Sequence, residues 1–288
     1  MLFILLSILS STVLVVHFKI FGKKNIDVFQ AIVINYLVAF VFGFSFLDAW
    51  TLVPEIPNKH WFFEAIMTGF LFITIFYLIA ICTQKAGITT TSVANKMSVL
   101  IPVLSAVFLY NEKLGIFKII GLVFCVFGLL LVSIKNDGQK LSIKQMSLPI
   151  LLFFSSGFLD SFLNHTQRSL NVNDKSILIP SIFLFAFLFG FFWLLYLLIF
   201  RNKKLSKESI IGGVSLGIFN FFSLHFLILT LNHDWFEAKS AVVFPLNNMG
   251  IVIASTLVSI FVFKEHLNTL NKIGIIISVL AILFISLF

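Results

Sequence analysis

Charged residues are scarce in this 288-residue chain: they make up 11% of it, against 59% for hydrophobic residues. A typical water-soluble domain has about 25% charged residues, so the composition excludes that class. The mean hydropathy is +1.08. Apolar runs of about 20 residues, enough to cross the hydrocarbon core as helices, recur along the whole sequence. Because these runs are continuous rather than alternating, we predict an all-α integral membrane protein.

Catalytic and metal-binding motifs are also missing. The sequence has no HExxH, CxxC or GxxxxGK[ST] pattern. Cys82 and Cys125 lie in apolar runs, where a small soft side chain packs well, so they predict neither a disulfide nor a metal site. The net charge of +8 comes from basic residues in short segments between apolar runs, without a continuous basic face. We therefore expect no enzyme activity, cofactor, metal or nucleic-acid partner.

The apolar runs predict ten transmembrane helices, which places both termini on the same side of the membrane. They lie at about 2–21, 28–47, 61–83, 89–110, 116–134, 147–168, 176–200, 209–231, 238–263 and 268–287. Residues 135–146 resemble a linker between a first half, 1–134, and a second half, 147–288, of five helices each. Like halves with an odd number of helices insert in opposite orientations, so we predict two inverted five-helix repeats.

An internal similarity supports this repeat. The segments EKLGIFKIIG (112–121) and EHLNTLNKIG (265–274) share a glutamate at the start, a glycine at the end and two further identities. The same alignment, called the repeat alignment below, pairs Asn95 with Asn248. A chance match between two apolar helical hairpins is the weaker alternative.

The segment IPVLSAVFLYNEKLGIFKIIGLVFCVFGLLLVS (101–133) contains a helix with a proline, a short turn with a glutamate and a helix with glycines, and 244–286 is a degenerate copy. This arrangement resembles the EamA-like branch of the drug/metabolite transporter superfamily. The resemblance implies a secondary transporter that exports a small metabolite, an amino acid or related compound, with a proton or counter-solute gradient as the driving force. Uptake of a sugar or related polar solute is an alternative, and a membrane enzyme or scaffold is the alternative outside transport.

Two signals disagree about orientation in the lipid bilayer. More lysine and arginine follow the odd-numbered helices, which by the positive-inside rule places both termini outside. The resemblance implies that both termini lie in the cytoplasm and that the protein spans the cell membrane. We adopt the second orientation as the expectation, since inverted repeats often carry a divided charge bias. The sequence makes no prediction of oligomeric state.

Polar side chains within the predicted spans are candidates for a solute cavity, because a charged residue there costs about 2.5–3.5 kcal/mol on insertion scales. Helix 147–168 has the clearest pattern, since Gly157, Asp160 and Asn164 share one face. Asp160 would act as a proton carrier or cation contact, or else pair with a neighbouring helix. The candidate residues are Asn35, Asn95, Lys96, Asp160, Asn164, Asn220, His225, Asn247 and Asn248.

Lys96 has two open interpretations. Its long stem allows the ammonium group to reach the membrane interface from a turn or two inside. If it faces inward instead, it would bind an anionic solute group, or pair with Asp160 in one conformation and release it in the other. The repeat alignment places Met249 at the equivalent position, so any role of Lys96 is specific to one half.

Two prolines and two glutamates are predicted to have structural roles. Pro102 and Pro245 interrupt helical hydrogen bonding, and neighbouring helices are expected to satisfy the freed carbonyls. Glu112 and Glu265 occur at the short turns between predicted helices four and five and between nine and ten. Each is expected to cap the helix that follows it, where the helix dipole favours negative charge.

Overall fold

The computed structural model describes residues 2–110, 115–134, 143–168, 170, 172–231 and 240–287. In these ranges the chain forms helices and no β-strand. The helices are α1 (Leu2–Lys23), α2 (Val28–Phe46), α3 (Phe62–Ala86), α4 (Ile88–Met97), α5 (Leu100–Tyr110), α6 (Ile116–Ser133), α7 (Ile143–Arg168), α8 (Val172–Phe200), α9 (Lys207–Leu231), α10 (Ser240–Phe261) and α11 (Thr269–Leu287). A short 3-10 helix, Trp50–Asn58, precedes α3.

Eight helical segments are long and apolar enough to cross a membrane. They correspond to the first eight of the ten predicted spans. Two further apolar helices, Leu246–Phe261 and Thr269–Ile285, are shorter. The chain is thus an all-helical, multi-pass membrane protein.

The fourth predicted span contains two helices, so the helix predicted over 89–110 is interrupted, just before the proline that was predicted to disturb it. Pro102 has no backbone N–H and cannot donate the helical hydrogen bond to the Ser98 carbonyl. The Ile101 N–H donates to that carbonyl instead, at 2.9 Å. α4 and α5 still form one candidate span, Ile88–Leu109.

Two helix starts and one predicted helix break also differ from the predictions. α7 begins at Ile143, inside the predicted linker, and α8 begins four residues earlier than predicted, at Val172. Hydrogen bonding can continue a helix beyond its apolar core, so hydropathy underestimates its length. α10 continues through Pro245, so no break is found there. A proline close to the start of a helix removes one hydrogen bond without ending the helix.

The chain divides into two compact units that differ from the sequence halves. Unit 1 comprises Met1–Lys19, Ile79–Asp160 and Phe222–Phe288, and unit 2 comprises Ile20–Leu78 and Ser161–Phe221. Each unit therefore combines segments from both halves. The boundaries at residues 134 and 147 belong to the predicted repeat, which stays a prediction. They do not coincide with the limits of the two units.

Unit 2 is organised around the packing of α2 on α8. Its core contains large buried side chains, among them Phe44, Trp61 and Ile182. Close contact needs small residues at the interface. A Cβ atom at Gly43 would lie 2.9 Å from Cγ of Pro180, so this glycine permits the observed approach.

Polar contacts fix the start of α2 in unit 2. The Asp27 side chain accepts a hydrogen bond from the Gln30 N–H at 3.2 Å, which caps the helix. Lys203 Nζ lies 2.5 Å from the Asp27 carboxylate. The Gln30 amide donates to the Lys204 carbonyl at 2.9 Å and accepts from the Ser206 N–H at 3.1 Å. The segment before α9 is thereby attached to the start of α2.

In unit 1, α4 packs on α10 and α6 packs on α11. The contacts of α6 with α11 are reciprocal. A Cβ atom at Gly121 would lie 2.7 Å from Cγ1 of Ile285, and one at Gly274 would lie 2.8 Å from Cγ2 of Val132. The repeat alignment pairs Gly121 with Gly274 and Val132 with Ile285. Equivalent residues thus exchange partners across this interface, as they do across a two-fold axis.

Two asparagines organise the start of α11. The Asn271 N–H donates to Oδ1 of Asn268 at 2.6 Å, and the Asn268 N–H donates to Oδ1 of Asn271 at 3.1 Å. The Asn271 side-chain NH2 group lies 3.1, 3.0 and 2.8 Å from the carbonyl oxygens of Leu131, Val132 and Ile134, and its two protons are shared among them. Asn271 therefore binds carbonyls at the end of α6, whereas the Asn268 side chain caps α11.

Glu265 does not cap α11 as predicted, because the asparagine pair occupies that position. Its carboxylate accepts a hydrogen bond from the Ile88 N–H at the start of α4 instead. The two residues are distant in sequence, so the helix that is capped depends on tertiary packing. Glu112 and residues 135–142 lie outside the described residues.

Replacing Asn271 with alanine is expected to lower the free energy of unfolding by about 1–3 kcal/mol, because several buried groups lose their partners. Thermal unfolding of the purified protein in detergent measures the change. Lys272→Ala is the control, since Lys272 is exposed on the same turn. Equal effects of the two variants would contradict the assigned role of Asn271.

Candidate functional site

The face of α7 that carries Asp160 is directed at α5. Gly157, one turn earlier, packs so closely that a Cβ atom there would lie 2.6 Å from Cβ of Ile101. Asp160 is exposed on this same side of the helix. Phe154 and Phe158 on the same helix are 59% and 58% exposed. The side of α7 that carries Gly157 and Asp160 thus lies next to α5, and the two phenylalanines add exposed apolar surface to the helix.

Lys96 and Asp160 carry opposite charges on neighbouring segments, near Ser98. The Lys96 side chain is half-buried. The Ser98 hydroxyl lies 3.4 Å from Oδ2 of Asp160 and 2.6 Å from the Asn95 carbonyl. Because a hydroxyl group has one proton, Ser98 donates its hydrogen bond to the nearer acceptor, the Asn95 carbonyl. The Asp160 carboxylate can therefore still accept a hydrogen bond from another donor.

Both charges belong to candidate membrane spans, Ile88–Leu109 and Ser147–Gln167. Each would be costly in hydrocarbon, and their interaction offsets part of that cost. The inward orientation of Lys96, one of the two that the sequence left open, stays a prediction. Opposite charges on neighbouring spans can together bind a ligand that carries both charges.

The equivalent position in the second half has no charge. Met249, which the repeat alignment pairs with Lys96, lines a cavity of about 300 Å³ together with apolar residues such as Ile4, Ile8 and Ile253. The residue paired with Asp160 is Ser7, whose hydroxyl donates to the Ser223 carbonyl at 2.8 Å. The charged pair is therefore confined to the side of unit 1 formed by α4 and α7.

Several buried polar atoms near the same helices have no hydrogen-bond partner among the described residues. They are the hydroxyls of Thr89 and Ser92 on α4, Ser156 on α7 and Thr256 on α10, and Oδ1 of Asn247 on α10. Serine and threonine in helices usually donate to a carbonyl in the preceding turn. These groups are consequently available to a polar ligand or to water.

The other predicted cavity residues lie in different surroundings. Asn248 is half-buried on α10, and His225 packs against the rings of Phe222 and Phe226 at centroid distances of 6.3 and 6.0 Å. In unit 2, Asn164 is exposed and Asn220 is buried. The roles of these residues in solute binding stay predictions.

Asn35 is fully buried on α2 in unit 2. Within the ranges that the structure describes, neither atom of its side-chain amide has a hydrogen-bond partner. The backbone carbonyl of the same residue would lie 2.7 Å from a Cβ atom at Gly217, which reflects tight packing of α2 against α9. An unsatisfied amide in such a tight place destabilises this conformation.

Asn35→Leu is expected to raise the free energy of unfolding by about 1 kcal/mol or more, because it removes the unsatisfied amide at similar volume. Thermal unfolding in detergent measures this change. Val38→Leu, a substitution of an apolar residue one turn further along α2, controls for altered volume. Destabilisation by Asn35→Leu would instead indicate that the amide has a bonding partner in the protein.

Sequence reasoning missed the importance of Ser98 for this site. Ser98 is not among the predicted cavity residues, because serine is common in membrane helices as a packing residue. The signal that distinguishes Ser98 is its position at the break before Pro102. In the described part of the chain, no three His, Cys, Asp or Glu side chains are arranged to hold a metal ion.

Comparisons with known proteins agree with this architecture. A protein of Haemophilus influenzae, described as uncharacterized, is 29% identical over 288 residues, which span 97% of this chain and 95% of the relative. A solved crystal structure has a TM-score of 0.64 at 15% identity and covers 99% of this chain and 96% of its own, which shows a common fold. Residues 1–134 match the profile of the EamA-like transporter family. This match confirms the resemblance of the chain to the EamA-like transporter family, which is part of the drug/metabolite transporter superfamily.

Proposed function

We propose that the chain is a secondary active transporter that exports a small zwitterionic metabolite, an amino acid or related compound. The observation that carries this proposal is the placement of two opposite charges, Lys96 and Asp160, in two candidate membrane spans that approach each other at Ser98. The family of residues 1–134 points to transport of small solutes across membranes. The proposed direction of transport, export rather than uptake, is based on the family resemblance.

The solute class follows from the charges. A carboxylate on the solute would bind Lys96, and an ammonium group would bind Asp160. Such a solute would replace the interaction between the two side chains without leaving either charge alone in the membrane. A neutral sugar would leave that interaction intact and would bind only through amides and hydroxyls, so sugar uptake is the less favoured alternative.

The transport mechanism in this proposal is alternating access by two inverted five-helix repeats, 1–134 and 147–288, with ten membrane-spanning helices. The reciprocal contacts of Gly121 and Gly274 support a two-fold relation between the halves. Five helices in each half require opposite insertion of equivalent helices. A proton or counter-solute gradient would drive the cycle, and Asp160 is the proposed site of proton exchange.

Counterflow in proteoliposomes tests the proposal. The purified protein is reconstituted and assayed with a panel of labelled amino acids, organic anions, amines and sugars, with and without a pH gradient. We expect exchange of zwitterionic solutes, with loss of exchange in Lys96→Met. Movement of a sugar at an unchanged rate in Lys96→Met would contradict the zwitterion proposal, and no movement of any solute would contradict transport.

We further propose that the protein is inserted in the cell membrane with both termini in the cytoplasm. Single cysteines in segments 135–145 and 201–208, placed in a chain without Cys82 and Cys125, test this orientation with an impermeant maleimide applied to intact cells. Both segments follow odd-numbered helices, so cytoplasmic termini would place both outside the cell. We therefore expect both to be labelled in intact cells. Labelling of neither segment would contradict cytoplasmic termini.

A further inference from the structure

Glu265 contacts the ends of three helices in unit 1. Its carboxylate lies 2.6 Å from Nζ of Lys19, near the end of α1. It accepts hydrogen bonds from the Ile88 N–H of α4, at 3.3 Å to Oε1 and 3.2 Å to Oε2. The Ser259 hydroxyl of α10 also donates to Oε2. A carboxylate that only caps a helix needs a single N–H partner, whereas the Glu265 carboxylate has partners on three helices.

The backbone at Gly87 leaves room for the Glu265 carboxylate. Gly87 has a φ of +100°, which favours glycine. A Cβ atom at this position would lie 2.9 Å from Oε2 and 3.2 Å from Oε1 of Glu265. Any larger residue would be strained and would also displace the carboxylate. The side chains of Lys19 and Glu265 are each only 18% exposed, so the ion pair is largely protected from water.

The helix that begins at this contact, α4, also carries Lys96. Ile88 and Thr89 are buried at the start of α4, and Ser92 is buried one turn further on. Lys96 follows on the same helix, about 12 Å from Ile88 along the axis. Lys96 therefore lies on the helix whose first N–H group Glu265 binds, so separation of the Glu265 contacts frees the start of that helix.

We propose that Glu265, with Lys19, Ile88 and Ser259, is a latch that closes this end of unit 1 and opens during the transport cycle. The latch depends on the proposed function in one respect only, namely that its opening is assigned to a transport cycle. Closure holds the start of α4 against the ends of α1 and α10. Loss of the Lys19 ammonium or of the Glu265 charge weakens the closed form and increases access to the buried start of α4.

Cysteine accessibility tests the latch without any solute. Thr89 is the reporter, because it is buried and its hydroxyl has no hydrogen-bond partner in the part of the chain that the structure describes. Thr89→Cys is made in the full chain with Cys82→Ala and Cys125→Ala, and an impermeant maleimide is applied from each face of membrane vesicles. We expect labelling in Glu265→Gln and Lys19→Gln to be about tenfold faster or more than in the parent.

Lys24→Gln is the matched control, since Lys24 is an exposed lysine beyond the same end of α1. Its labelling rate should equal that of the parent. The latch is contradicted if Lys19→Gln labels at the parental rate, or if Lys24→Gln accelerates labelling equally. If Glu265→Gln does not fold, Lys19→Gln alone decides, because it leaves the bonds of Glu265 to Ile88 and Ser259 in place.

Failure of the latch and failure of the transport proposal give different results. Faster labelling in the latch variants without counterflow of any solute would support the latch and contradict transport. Counterflow with unchanged labelling would support transport and contradict the latch.

Discussion

Lys96→Met and Asp160→Asn are each expected to lower solute counterflow by about 10- to 100-fold, because each removes a charged partner of the proposed zwitterionic solute. Each single variant also leaves the opposite charge alone in a membrane span, which lowers the free energy of unfolding by about 2–3 kcal/mol. The double variant removes both charges. It is expected to recover stability but not transport.

Proteoliposome counterflow and thermal unfolding in detergent separate these two effects. Lys118→Met is the matched control, since Lys118 is a half-buried lysine of α6 that belongs to no assigned site. Normal counterflow by Lys96→Met would mean that the ammonium group contributes nothing to solute binding. A double variant less stable than both single variants would mean that the two charges do not stabilise each other.

Gly121→Ala and Gly274→Ala are each expected to lower the free energy of unfolding by about 1–3 kcal/mol, because an added methyl group overpacks a tight contact. The new Cβ atom would lie 2.9 Å from the Ile285 nitrogen in the first variant and 2.8 Å from the Val132 nitrogen in the second. A backbone atom cannot move aside as a side chain does. The two effects should therefore be similar.

Gly22→Ala is the control for changing glycine to alanine in a helix, since Gly22 is exposed on α1. Alanine has the higher helix propensity, so this variant should be unchanged or slightly more stable. Thermal unfolding in detergent measures all three. A large effect at one of the two interface glycines and none at the other would contradict the reciprocal contact between α6 and α11.

Much of the secondary structure could be predicted from the sequence, because a membrane helix depends mainly on its own residues. The ends of α2 and α6 lie within a residue of the prediction. Errors arose where local chemistry competes with hydropathy. The break at Ser98 depends on the missing N–H of Pro102, and the 3-10 helix Trp50–Asn58 contains two prolines in a segment too short to be read as a span.

The candidate site was predictable as a set of residue types but not as a group of neighbours. The sequence pattern identified Asp160 and Lys96 because charges are rare in membrane spans. It left the orientation of Lys96 open, since a lysine stem reaches either the interface or the interior. Their interaction depends on the packing of α7 against the segment after α4, which hydropathy does not encode.

The sequence by itself determined that the chain is a multi-pass helical membrane protein, because continuous apolar runs admit few other structures in a bilayer. It also determined the family resemblance of residues 1–134. Only the tertiary structure decided which helix Glu265 caps, that Ser98 approaches Asp160, and that Met249 lines an apolar cavity. The physical reason is that these contacts join residues distant in the chain, whereas hydropathy and helix propensity describe each segment alone.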